Sequence, residues 1–210
     1  MILAVANVKG GQGKSLWAVN LATWLKAEIL DLDPKQGDSY SWAQEAGHPA
    51  RLVWEEDFWQ VIETAAAAPE WYVADCPPNE GVETRGALLH AKIVFVPVVP
   101  GGAQEATAWG RMVSLLQEIR ESNPTLRVCA VINQFERTNW TKSFEVLLKD
   151  FQQPSKNQWV LGWVSRLRDY RDSFADRKPA WGLHGRSGDE FSVICDKIGK
   201  LTKVIGRERS

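Results

Sequence analysis

Short apolar runs alternate with amphipathic segments along most of the chain. Continuous runs of Val, Ile and Leu are typical of strands covered on both faces, and apolar residues spaced by three and four are typical of helices. The runs predict strands at 2–6, 28–32, 51–54, 71–74, 93–96, 127–132 and 159–164. The spacing predicts helices at 14–26, 57–68, 103–121, 140–151 and 190–204, with a surface turn at 185–189.

This alternation predicts an α/β fold with a doubly wound, mostly parallel sheet and helices on both faces. The 210 residues are 44% hydrophobic, and no repeat, low-complexity tract or long linker divides them. We therefore predict one domain over residues 1–210. Most of the 11 tryptophans, among them Trp17, Trp24, Trp54 and Trp71, are interpreted as core residues rather than as stacking platforms for bases.

Charge is unevenly distributed, although the net charge is only −1. Residues 1–136 carry ten Lys and Arg against 17 Asp and Glu, whereas residues 137–210 carry 15 against nine. A basic last third is either an electrostatic footprint for a polyanion or a set of solvated helix faces, and both interpretations stay open.

The three cysteines are far apart in the sequence and form no metal or redox pair, which indicates reduced thiols. The N-terminal apolar run has no basic leader or cleavage site, and no stretch approaches the roughly 20 apolar residues of a membrane span. We expect a cytoplasmic protein that is neither secreted nor membrane-spanning.

The segment between the first strand and the first helix predicts a phosphate-binding loop. Glycines let backbone N–H groups turn toward phosphates, and the following helix presents the positive end of its dipole. Lys14 can reach the β and γ phosphates, and the Ser15 hydroxyl is placed to coordinate Mg²⁺. We therefore predict ATP and Mg²⁺ as ligands. The predicted nucleotide-binding residues of the loop are Lys9, Gly10, Gly11, Gln12, Gly13, Lys14 and Ser15.

A strict Walker loop has glycine at the position of Val8, so this loop is a variant. The order Lys-Gly-Gly-x-Gly-Lys-Ser resembles the deviant Walker A motif of the ParA/MinD family of P-loop ATPases, with Lys9 as the signature lysine. In that family the signature lysine reaches across a dimer to the partner's nucleotide. The resemblance implies an ATP-sandwich homodimer and catalytic roles for Lys9 and Lys14, in which cations offset the phosphate charge.

Two later segments resemble the family's switch regions. Asp33 matches the switch I residue that positions the attacking water, and Asp75 matches the switch II residue that holds magnesium through water. Both follow predicted parallel strands, whose carboxyl ends face one crevice. Lys35 is an insertion in switch I, so Gln36 is given no role. The resemblance also places Pro100 and Asn133 near adenine, although Asn133 could equally be a turn former.

Residues 165–179 resemble the corresponding segment of small partition ATPases, whose ATP dimer binds DNA without sequence preference through basic residues of the C-terminal half. The resemblance implies a slow ATPase for plasmid or chromosome partition, released from DNA when a ParB-like or other adaptor stimulates hydrolysis, and nucleoid-associated with ATP. The alternative is that the basic residues of this segment form exposed ion pairs with neighbouring acidic residues and do not bind DNA. The DNA-binding candidates are Arg166, Arg168, Arg171 and Lys178.

Three alternatives remain. A ParA-like ATPase that positions a protein cargo would have the same chemistry with another adaptor. A MinD-like membrane cycler would need lipid contact by residues 190–205, whose apolar stripe we expect instead to dock on the sheet. A metabolic enzyme lacks a recognisable substrate constellation. The first strand begins near residue 2, so we expect no helix-turn-helix extension and no operator recognition.

Overall fold

A parallel sheet organises the part of the chain that the computed structural model describes, residues 1–136, 138, 140–153, 156–166, 170, 173 and 178–207. It has seven strands in the order β3-β2-β4-β1-β5-β6-β7, and every neighbouring pair is parallel. All seven predicted strands are therefore confirmed. The strands are β1 (Ile2–Val5), β2 (Glu28–Asp31), β3 (Ala50–Leu52), β4 (Tyr72–Asp75), β5 (Ala91–Val98), β6 (Arg127–Phe135) and β7 (Gln158–Ser165).

Helices follow most of the strands, and the five predicted ones are present. The helices are α1 (Lys14–Leu25), α2 (Asp38–Glu45), α3 (Phe58–Ala67), α4 (Val82–His90), α5 (Ala103–Ser122), α6 (Lys142–Phe151) and α7 (Arg186–Arg207), with a 3₁₀ turn at Ala180–Gly182. The short helices α2 and α4 were not predicted. Their sequences are mostly polar or interrupted by glycine, so neither gives a clear apolar stripe.

The predicted surface turn at 185–189 is wrong, because α7 begins at Arg186. Only Gly185 has the left-handed backbone of a turn, with φ of 73°. Gly188 lies instead in the first turn of the helix, against the backbone carbonyl of Leu183, where a Cβ would overlap that oxygen. This glycine therefore permits close packing of the helix rather than a reversal of the chain.

Two apolar cores cover the two faces of the sheet, as a doubly wound fold requires. One lies beneath α1, α2 and α7 and includes the fully buried Trp17, Trp42 and Phe191. The other lies beneath α3, α4, α5 and α6 and includes Ile62 and Met112. The sheet thus holds the carboxyl ends of its strands between two packed layers of helices.

The tryptophan prediction holds in part. Trp17 is fully buried, and Trp24 and Trp71 pack against the same core. Trp54 contradicts the prediction, since it lies beyond the end of β3 at Leu52 and is 47% exposed. No helix in the described ranges is long and apolar enough to cross a membrane.

Candidate nucleotide-binding site

A cavity of about 420 Å³ opens where the loop after β1 meets the carboxyl ends of β2, β4 and β6. This is the crevice in which open α/β sheets bind their ligands. The sequence-predicted nucleotide, metal and water-positioning residues that line it are Gly10, Gly11, Gly13, Lys14, Ser15, Asp33, Asp75 and Asn133. The fold therefore brings together residues that are more than 100 positions apart.

The loop needs two of its glycines for backbone conformation. Gly11 and Gly13 have φ of 73° and 85°, in the left-handed region that side chains rarely adopt. Gly13 is also the N-cap of α1, and a Cβ there would overlap the side-chain amide of Asn133. Helix α1 begins at Lys14, and the residues of its first turn, Lys14, Ser15 and Leu16, line the cavity. The N-terminus of a helix presents backbone N–H groups that suit the binding of an anion.

Hydrogen bonds from neighbouring strands hold this loop in place. Asn7 Nδ2 donates to the Pro97 carbonyl oxygen over 2.8 Å, and Asn7 Oδ1 accepts from the Lys9 backbone N–H over 3.0 Å. Gln12 Oε1 accepts from the Val99 backbone N–H over 2.7 Å. These hydrogen bonds fix the shape of the loop, which limits the entropy cost of binding a ligand.

Asn133 contacts the loop as well as the cavity. Its Nδ2 donates to the Gln12 backbone carbonyl over 2.8 Å, and its side chain is 2% exposed. Pro100 is buried and is not among the residues that line the cavity. The support of the loop by Asn133 is thus a role that the sequence did not predict, and adenine contact by either residue stays a prediction.

Lys14 and Asp75 form the buried charged floor of the cavity, at 8% and 4% exposure. Burial lowers the pKa of Lys14, while the charges of Asp75, Cys76 and Asp33 oppose that effect. Burial and the nearby charge of Asp31 raise the pKa of Asp75 to about 7, against a hydrogen bond from Ser15 and the charge of Lys14. The cavity thus places one lysine among three carboxylates, Asp31, Asp33 and Asp75, so a bound cation would offset their excess negative charge.

The oxygens at this point fit a magnesium ion. Asp75 Oδ1 is buried and has no hydrogen-bond partner among the described residues, and the Ser15 hydroxyl lies within hydrogen-bond distance of the same carboxylate. Mg²⁺ prefers hard oxygen ligands and is commonly held by one or two protein groups together with nucleotide phosphates. Ser15 and Asp75 would hold such an ion, and its charge would favour the ionised form of Asp75.

A second buried carboxylate, Asp31, was not predicted as a site residue. Its Oδ1 accepts from the Asp33 backbone N–H over 3.0 Å. Its Oδ2 accepts from Ser39 Oγ over 2.9 Å and from the Tyr40 backbone N–H over 3.0 Å. Asp31 therefore fixes the segment after β2 to the start of α2. Gln36, to which the sequence gave no role, donates from Nε2 to Asp33 Oδ2 over 2.7 Å.

Lys9 differs from the rest of the loop because its side chain leaves the cavity. It lines a separate surface depression with residues of α5, and its Nζ lies 2.5 Å from Glu105 Oε1. Both side chains are partly exposed. The signature lysine is therefore placed at the surface rather than against the chain's own phosphate site.

Residues from the basic last third line the mouth of the cavity. Arg166, a predicted DNA-binding residue, lines the cavity and lies 3.5 Å from the Glu136 carboxylate. Tyr170 also lines it, and its hydroxyl donates to Glu190 Oε2 over 2.8 Å. Lys178 is exposed. Arg168 and Arg171 lie outside the described residues.

No model of a protein family matches the chain. A curated relative, the maintenance of carboxysome distribution protein A of Halothiobacillus neapolitanus, is 26% identical over 211 residues, which cover 93% of this chain and 95% of the relative. A solved putative plasmid partition protein of Borrelia burgdorferi bound to AMPPNP has a TM-score of 0.68 at 17% identity, covering 95% of this chain and 98% of that one. The septum site-determining protein MinD of Pyrococcus horikoshii, complexed with Mg-ADP, has a TM-score of 0.69 at 15% identity and covers 97% of both chains.

The solved structures share the fold, and the curated relative matches the chain almost from end to end. The chain thus combines this fold with a deviant phosphate loop and two switch segments. Together these features make the chain similar to members of the ParA/MinD family of P-loop ATPases.

Proposed function

We propose that this chain is an ATP-driven switch that positions a protein assembly along DNA. The sequence favoured plasmid or chromosome partition, with a protein cargo as the alternative. The observation that carries the present proposal is the similarity, over nearly the whole of both chains, to a protein named for carboxysome distribution. The cargo is therefore a protein assembly, recognised through an adaptor that stimulates hydrolysis.

The cavity supports the ATPase step of this proposal. Backbone N–H groups of the glycine loop and Lys14 would bind the phosphates, and Ser15 and Asp75 would hold magnesium, with Asp75 acting through water. Asp33 is the candidate for positioning the attacking water. Its carboxylate is held by Gln36 and its backbone by Asp31, so its orientation is set by two contacts. Hydrolysis without the adaptor is expected to be slow.

Binding of ATP is proposed to join two copies through Lys9, and the dimer then binds DNA without sequence preference. The strongest support is the exposed basic face of α7, which the sequence reasoning did not single out. Successive helix residues are about 100° apart, so one side of α7 presents, beside the exposed Asp196, four exposed cations. They are Lys197, Lys200, Lys203 and Arg207. Dimerisation doubles these contacts, so nucleotide state would control DNA affinity.

The apolar face of α7 argues against a membrane cycle. Phe191, Ile194 and Ile198 are at most 1% exposed and belong to the core beneath α1, α2 and α7. The prediction that this stripe docks on the sheet is thus confirmed. A lipid-binding role would require the helix to leave that core, at a cost of about 1.5–3 kcal/mol for each large side chain exposed.

Binding of nonspecific DNA by the Asp33→Ala protein tests the switch. Affinity is measured over a salt series with Mg-ATP, with Mg-ADP and without nucleotide. We expect binding with Mg-ATP alone, and Lys200→Gln should reduce the slope of log K against log salt by about 2, because a dimer loses two phosphate contacts of about 0.9 each. Lys142→Gln, an exposed site on α6, is the control. Equal affinity in all three nucleotide states would reject the proposal.

The cargo is tested in the host cell. Deletion of the gene should cluster a protein assembly while plasmid retention stays unchanged. If cells without the gene lose plasmids but keep normally spaced protein assemblies, the function is DNA partition instead.

A further inference from the structure

The contact between Lys9 and Glu105 joins two parts of the chain that are 96 positions apart. Lys9 belongs to the phosphate loop, yet its Nζ contacts a carboxylate of α5 rather than the cavity. The side chains are 31% and 25% exposed. The ammonium is therefore paired within its own protomer, at a position from which solvent and a second molecule can reach it.

Glu105 is held in place by the start of α5, independently of Lys9. Gly102 is the N-cap of the helix, so Glu105 occupies its third position. The carboxylate accepts hydrogen bonds from the backbone N–H groups of Gly102 and of Glu105 itself. A bond from the third helical residue back to the N-cap N–H is one half of a capping box. Lys9 foremost and then these donors lower the pKa of Glu105, so it is charged at neutral pH.

The pair is placed to be exchanged rather than to be permanent. Exposed ion pairs shift an equilibrium by only about 1.4- to 5-fold, because water and salt screen them. A nucleotide triphosphate carries more negative charge than one carboxylate, and it therefore competes for the same ammonium. A diphosphate carries less charge and competes less well.

We propose that Glu105 is a positioning residue that holds Lys9 in its own protomer until the ATP of a second copy displaces it. This inference rests on the proposed ATP-dependent dimer. It deepens that proposal by assigning the threshold for dimerisation, and part of the discrimination between ATP and ADP, to one carboxylate outside the nucleotide cavity.

Dimerisation of the Asp33→Ala protein, followed by sedimentation velocity over a concentration series, tests the inference. Glu105→Gln keeps the size of the side chain and removes its charge. Because each dimer breaks two pairs, we expect the dimer with Mg-ATP to be about 2- to 30-fold tighter, and more dimer to form with Mg-ADP. Glu118→Gln is the matched control, since Glu118 lies on the same helix in an exposed ion pair of 2.8 Å with Arg85.

A Lys9→Ala background distinguishes this mechanism from a general effect on α5. Lys9→Ala should itself weaken the dimer, so the comparison is made at protein concentrations high enough to show the residual dimer. If Glu105 acts through Lys9, Glu105→Gln leaves that residual dimer unchanged, whereas a general effect on α5 would tighten it. Circular dichroism melts check the fold, and Glu105→Ala replaces Glu105→Gln if the latter unfolds.

The outcomes separate the two proposals. ATP-dependent dimerisation of the parent protein, with no tightening by Glu105→Gln beyond that of Glu118→Gln, overturns the inference and leaves the proposed function standing. A tightening that persists in the Lys9→Ala background also overturns it. A parent protein that stays monomeric with Mg-ATP rejects the proposed dimer itself.

Discussion

Asp75 is expected to destabilise the nucleotide-free protein, and Asp75→Asn tests this. The carboxyl group is 4% exposed, and burial together with Asp31 raises its pKa from 3.8 to about 7. Since the folded state then binds more protons than the unfolded state, stability falls as pH rises from about 4 to about 7. This difference in pKa lowers the free energy of unfolding at pH 8 by up to about 4 kcal/mol. The neutral amide of Asp75→Asn would restore that stability.

The assay is thermal unfolding of both proteins between pH 5 and pH 8, with and without Mg-ATP. Without ligand at pH 8, Asp75→Asn should melt about 10 °C higher, since 1 kcal/mol shifts Tm by about 2–4 °C in a domain of this size. The difference should shrink toward pH 5, where Asp75 is protonated. Mg-ATP should stabilise the parent protein more than the variant. A variant that is less stable at pH 8, or a difference that does not change with pH, would refute the reasoning.

Three further predictions concern the loop, the core and the thiols. Gly13→Ala should abolish the shift of Tm by Mg-ATP, whereas Gly110→Ala, in open space on α5, should keep it. Phe191→Ala should lower the free energy of unfolding by about 3–5 kcal/mol in urea titrations, because Phe191 is fully buried and stacks on Trp17 at 4.2 Å. Burial raises the pKa of Cys129 and of Cys195 to about 12, so neither should react with a thiol reagent until urea unfolds the chain; prompt labelling of the native protein would contradict this.

The fold was predictable because its signals are local. Each strand is a compact apolar run, and the longer helices carry a repeated apolar stripe. Helices α2 and α4 were not predicted, because their burial depends on contacts with neighbouring elements rather than on a regular spacing of apolar residues in their own sequences. Gly86 of α4, for example, permits the close approach of Phe58, where a Cβ would lie 2.6 Å from the ring. No sequence periodicity records such a contact.

The residues of the candidate site show the same difference between local sequence signals and tertiary contacts. The phosphate loop is one continuous motif, and its glycines and Lys14 were assigned without the structure. Asp31 was visible only as a carboxylate ending a buried strand, and its partners come from the unpredicted α2. Tyr170 and Glu105 were not predicted as site residues, because only the tertiary structure brings them there. Tyr170 lines the cavity, and Glu105 contacts Lys9 of the loop.

ATP hydrolysis is proposed to switch the affinity of this protein for DNA. The most direct test of this proposal is the release of labelled nonspecific DNA from protein loaded with Mg-ATP, after a chase with unlabelled DNA and ADP. We expect the parent protein to release DNA at the rate of its own ATP hydrolysis, while Asp33→Ala keeps its DNA for much longer. Release at the same rate from both proteins would contradict the proposal.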